Sequence, residues 1–329
     1  MKKLLFATCC IAFLSGSLGA AAQKKSVAKN VLTQTLNGKS WSADNGNGTF
    51  TNPLFYDEFS DPDIIRVGED YYLAGTTMHS VPGLVVLHSK DLVNWEFSSY
   101  CFDRFDDSDD FNLRNGKEAY GQGIWAPAIR YHNGKFYIFS NINGHGLQVY
   151  ISDSAKGPWT HHKVNGDIYD LSVLFDEDGK IYAVHKYGNV TVTELKPDLS
   201  GPVEGSSKVV IPEGNAMGEG HHVYKINDMY YILSADYSPM GRMQCARSKS
   251  IWGPYETCVI SERESYGYAA GWSVGNMGIG RPLPEDGFSF QNNKPNGLNL
   301  GCATIHQGGI VQAPDGKWWG VSMQDFNAV

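Results

Sequence analysis

Five residues whose side chains could take part in catalysis or binding occupy similar positions in a repeated sequence motif. Counting back eleven to thirteen residues from the second member of five similar residue pairs reaches, in chain order, Asp61, Trp125, Asp170, Glu219 and His306. Three of the five positions carry a carboxyl group. If these positions converge in the fold, Asp61, Asp170 and Glu219 share one pocket with an aromatic ring and an imidazole.

Converging carboxylates suit two kinds of chemistry. The first is metal binding, but calcium loops place acids at short, regular intervals. The acid-rich segments 57–63 and 105–110 are irregular, and we interpret them as solvated loops. The second is glycoside hydrolysis, in which one carboxyl group protonates the leaving oxygen and an ionised one acts on the other side of the bond. A third carboxylate nearby raises the pKa of the acid by like-charge repulsion, which keeps its proton on near neutral pH.

The elements that must position these residues are five similar hairpins. Each has a turn followed by one of the pairs Tyr71-Tyr72, Phe136-Tyr137, Ile181-Tyr182, Tyr230-Tyr231 and Trp318-Trp319. The segments SKDLVNW, SDSAKGPW and SKSIWGPY follow the first, second and fourth hairpins and indicate a bend between a third and an outer strand. Four strands repeated about every 45 residues predict an all-β fold, a five-bladed β-propeller whose last blade is incomplete. A β-sandwich would explain alternating strands but not this recurring order of signals.

Local backbone chemistry gives two further predictions. Asp178-Gly179, between two apolar runs, predicts a type I′ turn. Pro62 predicts an extended backbone at Asp61, which would fix the direction of its side chain. In a propeller the inner strand of each blade lines the central channel, so each hairpin is expected to bring one side chain to a shared axial pocket.

Composition and the N-terminus limit the possible partners. The 329 residues are 42% hydrophobic and 19% charged, which is enough to bury a core. Residues 1–22 predict a cleaved signal peptide, and hence a periplasmic or extracellular protein. Its removal takes Lys2 and Lys3 and changes the formal charge from −8 to −10, which argues against nucleic acid as a partner. No later segment is apolar enough for membrane insertion. We expect residues 23–50 to be a lead-in and residues 51–329 to form the propeller.

Six motifs carry a resemblance to glycoside hydrolase family 43. They occur in family order: FSDPDIIRVGEDYYLAGTT (59–77), PGLVVLHSKDLVNW (82–95), GIWAPAIRYHNGKFYIF (123–139), YDLSVLFDEDGKIYAVH (169–185), GEGHHVYKINDMYYIL (218–233) and HQGGIVQAPDGKWWGVS (306–322). The first is similar to the exo-acting β-xylosidase and α-L-arabinofuranosidase branches rather than to endo-arabinanases. The resemblance implies a five-bladed propeller that cuts β-xylosides or α-L-arabinofuranosides of plant hemicellulose (xylan, arabinoxylan, arabinan) with inversion.

The same resemblance implies roles for individual residues. Asp61 matches the general base of the family, and Glu219 matches the general acid. Asp170 matches the acid that adjusts the pKa of the general acid and orients it. His306 matches a histidine at the channel centre that in relatives often borders a calcium ion or a water cluster, and a hydrogen-bonded histidine without a metal is an equal alternative. No cofactor is required.

Substrate contacts are expected from three further residues. Trp125 shares the axial position of the acids, so its ring is expected to stack on a pentose. Trp272 lies in the long glycine-rich insert 267–305, which is expected to form a rim of the pocket because loops of this length are often functional. Arg281, in the same insert, is a candidate for binding a sugar hydroxyl. If the insert closes one side of the pocket, only a terminal sugar fits, which predicts an exo-acting enzyme.

Two questions stay open at the level of sequence. A non-catalytic glycan-binding propeller is the alternative function, although it would need the aromatic residues and not three acids. Xylose and arabinofuranose present similar hydroxyl groups, so the sequence does not rank them. The chain stops at Val329, two strands into the last blade, whereas relatives complete the blade and usually add a C-terminal β-sandwich. We therefore expect a longer protein.

Overall fold

A computed structural model describes residues 41–55, 59–105, 108–215, 217–236, 242–260 and 305–324. Their strands form four four-stranded antiparallel sheets, numbered here as blades one to four, and two two-stranded sheets. Blade one contains β1 (Asp63–Val67), β2 (Asp70–Gly75), β3 (Gly83–Ser89) and β4 (Trp95–Phe102). Blade two contains β5 (Ala128–His132), β6 (Lys135–Ile142), β7 (Gly146–Ser152) and β8 (Thr160–Lys163).

The remaining strands follow the same order. Blade three contains β9 (Ser172–Phe175), β10 (Ile181–His185), β11 (Val190–Leu195) and β12 (Lys208–Ile211), and blade four contains β13 (Glu219–Ile226), β14 (Met229–Asp236), β15 (Arg242–Ser248) and β16 (Glu256–Val259). The last strands are β17 (Ile305–His306), β18 (Ile310–Gln312), β19 (Trp318–Gly320) and β20 (Met323–Gln324). The bends predicted between the third and outer strands of blades one, two and four are confirmed.

The hairpins differ in the length of their turns. In blade two, Asn133 and Gly134 have φ angles of 47° and 78°, as a two-residue type I′ turn requires. Blade three differs, because Asp176 N–H donates to Lys180 O and only Gly179 has a positive φ there. The predicted type I′ turn at Asp178-Gly179 is therefore wrong: the loop is longer and contains a type I turn that ends at Gly179.

Apolar side chains fill the spaces between neighbouring blades. Clusters lie between blades one and two, two and three, and three and four. Strand β18 extends this arrangement, since Ile310 packs against Leu233 of blade four while Val311 packs against Leu73 of blade one. Adjacent residues of a strand point to opposite faces, so the β18–β19 hairpin lies between blade four and blade one. The fold is a β-propeller, and the sandwich alternative is wrong.

The described part of the expected lead-in packs on this propeller. Phe50 pairs with Asp44 in an isolated β-bridge and places its ring edge-on to Trp319, with ring centroids 6.4 Å apart. Asn94 Nδ2 donates to Asp44 Oδ2 at 3.0 Å. Among the described residues, none belongs to a helix long and apolar enough to cross a bilayer. The expected signal peptide and the insert 267–304 lie outside the described residues.

Candidate active site

Strand register decides which residue of each blade stands at the entrance to the axis. The second members of the five pairs lie opposite Ile65, Arg130, Leu174, Tyr224 and Val311 on the inner strands. Four residues before these stand Asp61, Ala126, Asp170, Gly220 and Gln307. Asp61 and Asp170 therefore occupy equivalent positions, as predicted.

The other three predicted equivalences are wrong by one residue. Trp125, Glu219 and His306 each precede the equivalent position of their own blade. The hairpins of blade three and of β18–β19 contain one more residue between the paired positions than those of the other blades, so the count back is twelve in these two and eleven elsewhere. The prediction used twelve for blades two and four and thirteen for the last hairpin, which is one residue too many in each case.

The equivalent positions share an unusual backbone conformation. Asp61 and Asp170 have φ angles of 51° and 50°, and Gly220 and Gln307 have 62° and 42°. The extended conformation predicted for Asp61 from Pro62 is therefore wrong. The chain turns into four inner strands through a left-handed residue, and this shared tertiary requirement overrides the local preference set by proline. Aspartate and asparagine tolerate the conformation better than most residues.

A bulge places Glu219 next to Asp170. Glu219 pairs with Ala235 but His222 pairs with Leu233, so strand β13 has one extra residue between these pairs. Within the bulge, Gly220 N–H donates to Oδ2 of Asp170 at 2.7 Å. Bulges of this kind redirect side chains next to functional sites. Glu219 is half-buried, and its position depends on the backbone that binds Asp170.

One pocket joins the entrances of the blades. It has about 200 Å³ of empty volume, part of it open to solvent, and its lining includes Asp61, Asp170, Gly220, His222 and Gln307. Asp61 and Asp170 thus face the same space. Glu219 and Trp125 are not among the lining residues, although Glu219 is close enough to act electrostatically on Asp170.

Burial and two neighbouring carboxyl groups act together on Asp170. Burial, followed by the charges of Asp61 and Glu219, raises the pKa of Asp170 to about 8, against the opposing effect of the Gly220 hydrogen bond. Residue Asp170 is only 8% exposed, so solvent does little to screen these charges. The cluster formed by Asp61, Asp170 and Glu219, the carboxyl cluster, therefore keeps a proton at neutral pH. A carboxyl group that holds its proton at this pH can act as a general acid.

Sequence reasoning missed Tyr169. Its hydroxyl donates to Oε2 of Glu219 at 2.9 Å. Burial, together with the nearby charges of Glu219, Asp170 and Asp61, raises the pKa of Tyr169 well above its usual value. The available signal was the aromatic residue directly before Asp170, but nothing in the spacing indicates that its side chain reaches blade four.

A polar network deeper along the axis was also missed. Asp63, fully buried, accepts hydrogen bonds from Arg130 and from the backbone N–H of Ile129, the latter at 2.9 Å. Arg130 also donates to Ser172 Oγ of blade three. His222 Nε2 of blade four lies 3.4 Å from Asp63 Oδ1. This network, the axial network, joins four blades directly below the carboxyl cluster.

The remaining predicted residues have different outcomes. Trp125 is half-buried, and its Nε1 donates to Asn143 Oδ1. Trp272, Arg281 and the side chain of His306 lie outside the described residues. Among the residues that are described, no three His, Cys, Asp or Glu side chains gather to hold a metal ion, and both oxygens of Asp63 accept from backbone N–H groups. The described donors do not fit a cation, and calcium near His306 stays a prediction.

Known proteins resemble this chain over most of its length. A non-reducing end alpha-L-arabinofuranosidase of Bacteroides ovatus is 34% identical over 284 residues, which cover 84% of this chain and 47% of that protein. A putative beta-xylosidase of Xylanibacter ruminicola is 30% identical over 300 residues, covering 87% of this chain and 48% of that protein. The chain spans about half the length of these curated relatives.

Solved structures also resemble this chain over most of its length. A bifunctional GH43-CE protein of Bacteroides eggerthii superposes with a TM-score of 0.67 at 31% identity, covering 83% of this chain and 32% of that one. A xylan beta-1,4-xylosidase of Bacillus halodurans C-125 superposes with a TM-score of 0.62 at 27% identity, covering 84% of this chain and 51% of that one. The family model for glycosyl hydrolases family 43 matches residues 50–268. On this match, and on the propeller and carboxyl cluster described above, the chain belongs to glycosyl hydrolases family 43.

Proposed function

We propose that this chain is the catalytic part of an exo-acting, inverting glycoside hydrolase that releases xylose or arabinofuranose from xylan, arabinoxylan or arabinan. The observation that carries the proposal is the carboxyl cluster, in which three blades contribute Asp61, Asp170 and Glu219. The raised pKa of Asp170, caused by burial and by the two other carboxylates, supports a cluster that holds one proton near neutral pH.

The proposed mechanism uses the three carboxyl groups in separate roles. Asp61 acts as general base and takes a proton from water, whose oxygen forms a bond to the anomeric carbon. On the opposite side, Glu219 gives its proton to the glycosidic oxygen as the bond from that oxygen to the anomeric carbon breaks. Asp170 orients this acid and favours its protonated form. No cofactor takes part in these steps, and a calcium ion near His306 would have a structural role.

The relatives support the choice of substrate. The relatives include a non-reducing end alpha-L-arabinofuranosidase, a putative beta-xylosidase and a beta-xylosidase, so we infer a terminal pentose as the sugar that is released. We further propose that the insert 267–305, with Trp272 and Arg281, closes one side of the pocket and limits cleavage to chain ends. Monosaccharide as the first product from linear oligosaccharides would support this wall, and an early ladder of oligomers would contradict it.

We also infer the wider organisation of the protein. The β18–β19 hairpin packs between blades four and one, which supports a fifth blade and a propeller over residues 51–329. The basic and apolar start of the chain supports a signal peptide at residues 1–22 and export to the periplasm or the extracellular space. Plant cell-wall polysaccharides are too large to enter a cell, so an exported enzyme suits this substrate.

The proposed hydrolase is tested against a non-catalytic glycan-binding propeller by the variant Asp61→Ala. Wild-type protein should release 4-nitrophenol from 4-nitrophenyl β-D-xylopyranoside or α-L-arabinofuranoside. The variant should lose about a hundredfold or more of kcat because the general base is absent, while calorimetry shows that it still binds the matching disaccharide. Asp153→Ala, which removes a carboxylate 83% exposed at the opposite end of blade two, should leave turnover unchanged. Binding without turnover in the wild-type protein would favour the glycan-binding alternative.

A further inference from the structure

The hydroxyl of Tyr169, from blade three, donates a hydrogen bond to Oε2 of Glu219 at 2.9 Å. We propose that Tyr169 is a positioning residue for the general acid, because it occupies Oε2 and so directs the acidic proton to Oε1. This inference rests on the proposed role of Glu219. It adds a residue that selects which oxygen of the acid meets the leaving group.

The backbone around Tyr169 is held from three blades. Its carbonyl accepts from Lys186 N–H at 2.9 Å within blade three. The next residue, Asp170, accepts from Gly220 of blade four at 2.7 Å, and its own N–H donates to Asn141 Oδ1 of blade two at 3.0 Å. The tyrosine ring therefore extends from a fixed base, and its hydroxyl has a defined place relative to Glu219. A fixed donor is what a positioning role requires.

The direction of the hydrogen bond follows from the protonation state of the tyrosine. Partial burial of Tyr169, which is 45% exposed, and the charges of three neighbouring carboxyl groups raise its pKa, so the hydroxyl keeps its proton at neutral pH. It therefore donates to Glu219 when the carboxyl group is ionised, and it can keep the same bond to Oε2 when the acidic proton stands on Oε1. When Glu219 is protonated, Oε2 accepts from the tyrosine and the acidic proton stands on Oε1.

The same bond favours the transition state over the ground state. As Glu219 gives up its proton, negative charge develops on its carboxyl group, and a hydrogen bond to a carboxylate is stronger than one to a neutral acid. Tyr169 thus stabilises the developing carboxylate more than the bound substrate, which lowers the barrier to proton transfer. The size of this effect on the barrier depends on how far the leaving group must be protonated before it departs.

The variant Tyr169→Phe tests this dependence because it removes one oxygen atom and keeps the ring. With a 4-nitrophenyl glycoside, whose leaving group departs with little protonation, kcat/KM should fall less than about threefold. With the disaccharide of the same pentose, whose leaving group must be protonated, kcat should fall about tenfold to a hundredfold with KM nearly unchanged. The ratio of the two substrates does not depend on the fraction of enzyme that is folded, so a partly unfolded variant still gives a result.

A second readout is the pH profile. Loss of a donor to the carboxylate favours the protonated acid, so the basic limb of kcat/KM in Tyr169→Phe should move to higher pH by up to about one unit. Tyr131→Phe is the matched control. This tyrosine is 42% exposed at the far end of blade two, and its variant should keep the wild-type ratio and profile.

The outcomes separate this inference from the proposed function. Glu219→Gln should lose far more activity on the disaccharide than on the 4-nitrophenyl glycoside. If Glu219→Gln loses equally on both substrates, Glu219 is not the general acid, and the mechanism proposed above is wrong. If Glu219→Gln shows the dependence but Tyr169→Phe loses equally on both, or loses nothing, the positioning role of Tyr169 is overturned while the hydrolase mechanism stands.

Discussion

At the scale of single residues, the site places two half-buried carboxyl groups beside a third, Asp170, that is buried and little screened by solvent. Asp170 is buried beside Asp61 and Glu219 and receives one hydrogen bond from Gly220. Such an arrangement lowers the stability of the ionised group, and its use is to keep a proton available near neutral pH. Both consequences of the Asp170 carboxylate can be measured with the same variant.

The first consequence concerns catalysis. The carboxyl cluster shares one proton near neutral pH, and in Asp170→Asn one of its three carboxyl groups is gone, so the remaining acid should release that proton at lower pH. The basic limb of the kcat/KM profile should therefore move to lower pH, and kcat at neutral pH should fall about tenfold or more. Steady-state kinetics over a pH series measures the shift. An unchanged basic limb with normal activity would mean that Asp170 only begins a strand.

The second consequence concerns stability. The folded pKa of Asp170, about 8, lies above the ordinary value of 3.8, so the folded state binds this proton more tightly than the unfolded state. Its contribution to stability is complete below pH 3.8 and is lost as the pH rises through 8. Asp170→Asn has no such loss and can still accept from Gly220.

The unfolding temperature of Asp170→Asn relative to wild type should therefore increase between those two pH values and level off above them. Differential scanning calorimetry at several pH values gives the comparison. A difference that is the same at every pH would contradict the raised pKa.

The sequence predicted the equivalent positions of two acids, while their catalytic roles stay predictions. Asp61 and Asp170 were found because an acid stands at the start of an inner strand, which the turns and aromatic pairs locate. Tyr169 and Arg130 were missed because their roles depend on contacts with other blades. The local sequence around a loop tyrosine or a strand arginine does not indicate which residue of another blade it contacts.

At the scale of elements, a single extra residue decides where Glu219 points. The sequence predicts the strands and hairpins of blades one to four, but it does not show the bulge in β13, because an inserted residue leaves the alternation of apolar residues almost unchanged. Gly220 makes the bulge possible. Its φ is 62°, and a Cβ atom there would lie 2.6 Å from Cγ of Gln307.

Gly220→Ala should therefore disturb the site through the backbone. The strained conformation and the contact with Gln307 should cost about 1–3 kcal/mol of stability, and a displaced Glu219 should reduce kcat about tenfold or more. Gly134→Ala is the control, because Gly134 also has a positive φ of 78° but has open space around it in the turn of blade two. It should lose about 1 kcal/mol and keep full activity. Equal loss of activity in both variants would contradict a local role for the bulge.

At the scale of the whole molecule, the axial network holds the blades at fixed distances below the carboxyl cluster. Arg130 and Asp63 have side chains 12% and 1% exposed and connect blades one, two and three. The repeated motifs predict the propeller, because the same order of turns and strands recurs along the sequence. They did not predict the network, because its members come from four blades and no two share a motif.

Arg130→Met should leave the Asp63 carboxylate buried without its ion pair and so destabilise the protein by about 3–5 kcal/mol. Arg247→Met breaks an ion pair whose partners are 58% and 76% exposed, and it should cost less than about 1 kcal/mol. Denaturant unfolding of both variants measures the difference. Similar small losses would mean that the axial network does not hold the blades together.

The most direct test of the account is the configuration of the first sugar released. Inversion requires the carboxyl groups of Asp61 and Glu219 to stand about 6.5–9.5 Å apart, with room for water between the base and the sugar. Proton NMR during the first minutes of hydrolysis identifies the anomer before it equilibrates in solution. We expect α-xylose from a β-xyloside, or β-arabinofuranose from an α-L-arabinofuranoside. Initial product with the configuration of the substrate would contradict the account, because it would require a covalent intermediate in place of a water activated by Asp61.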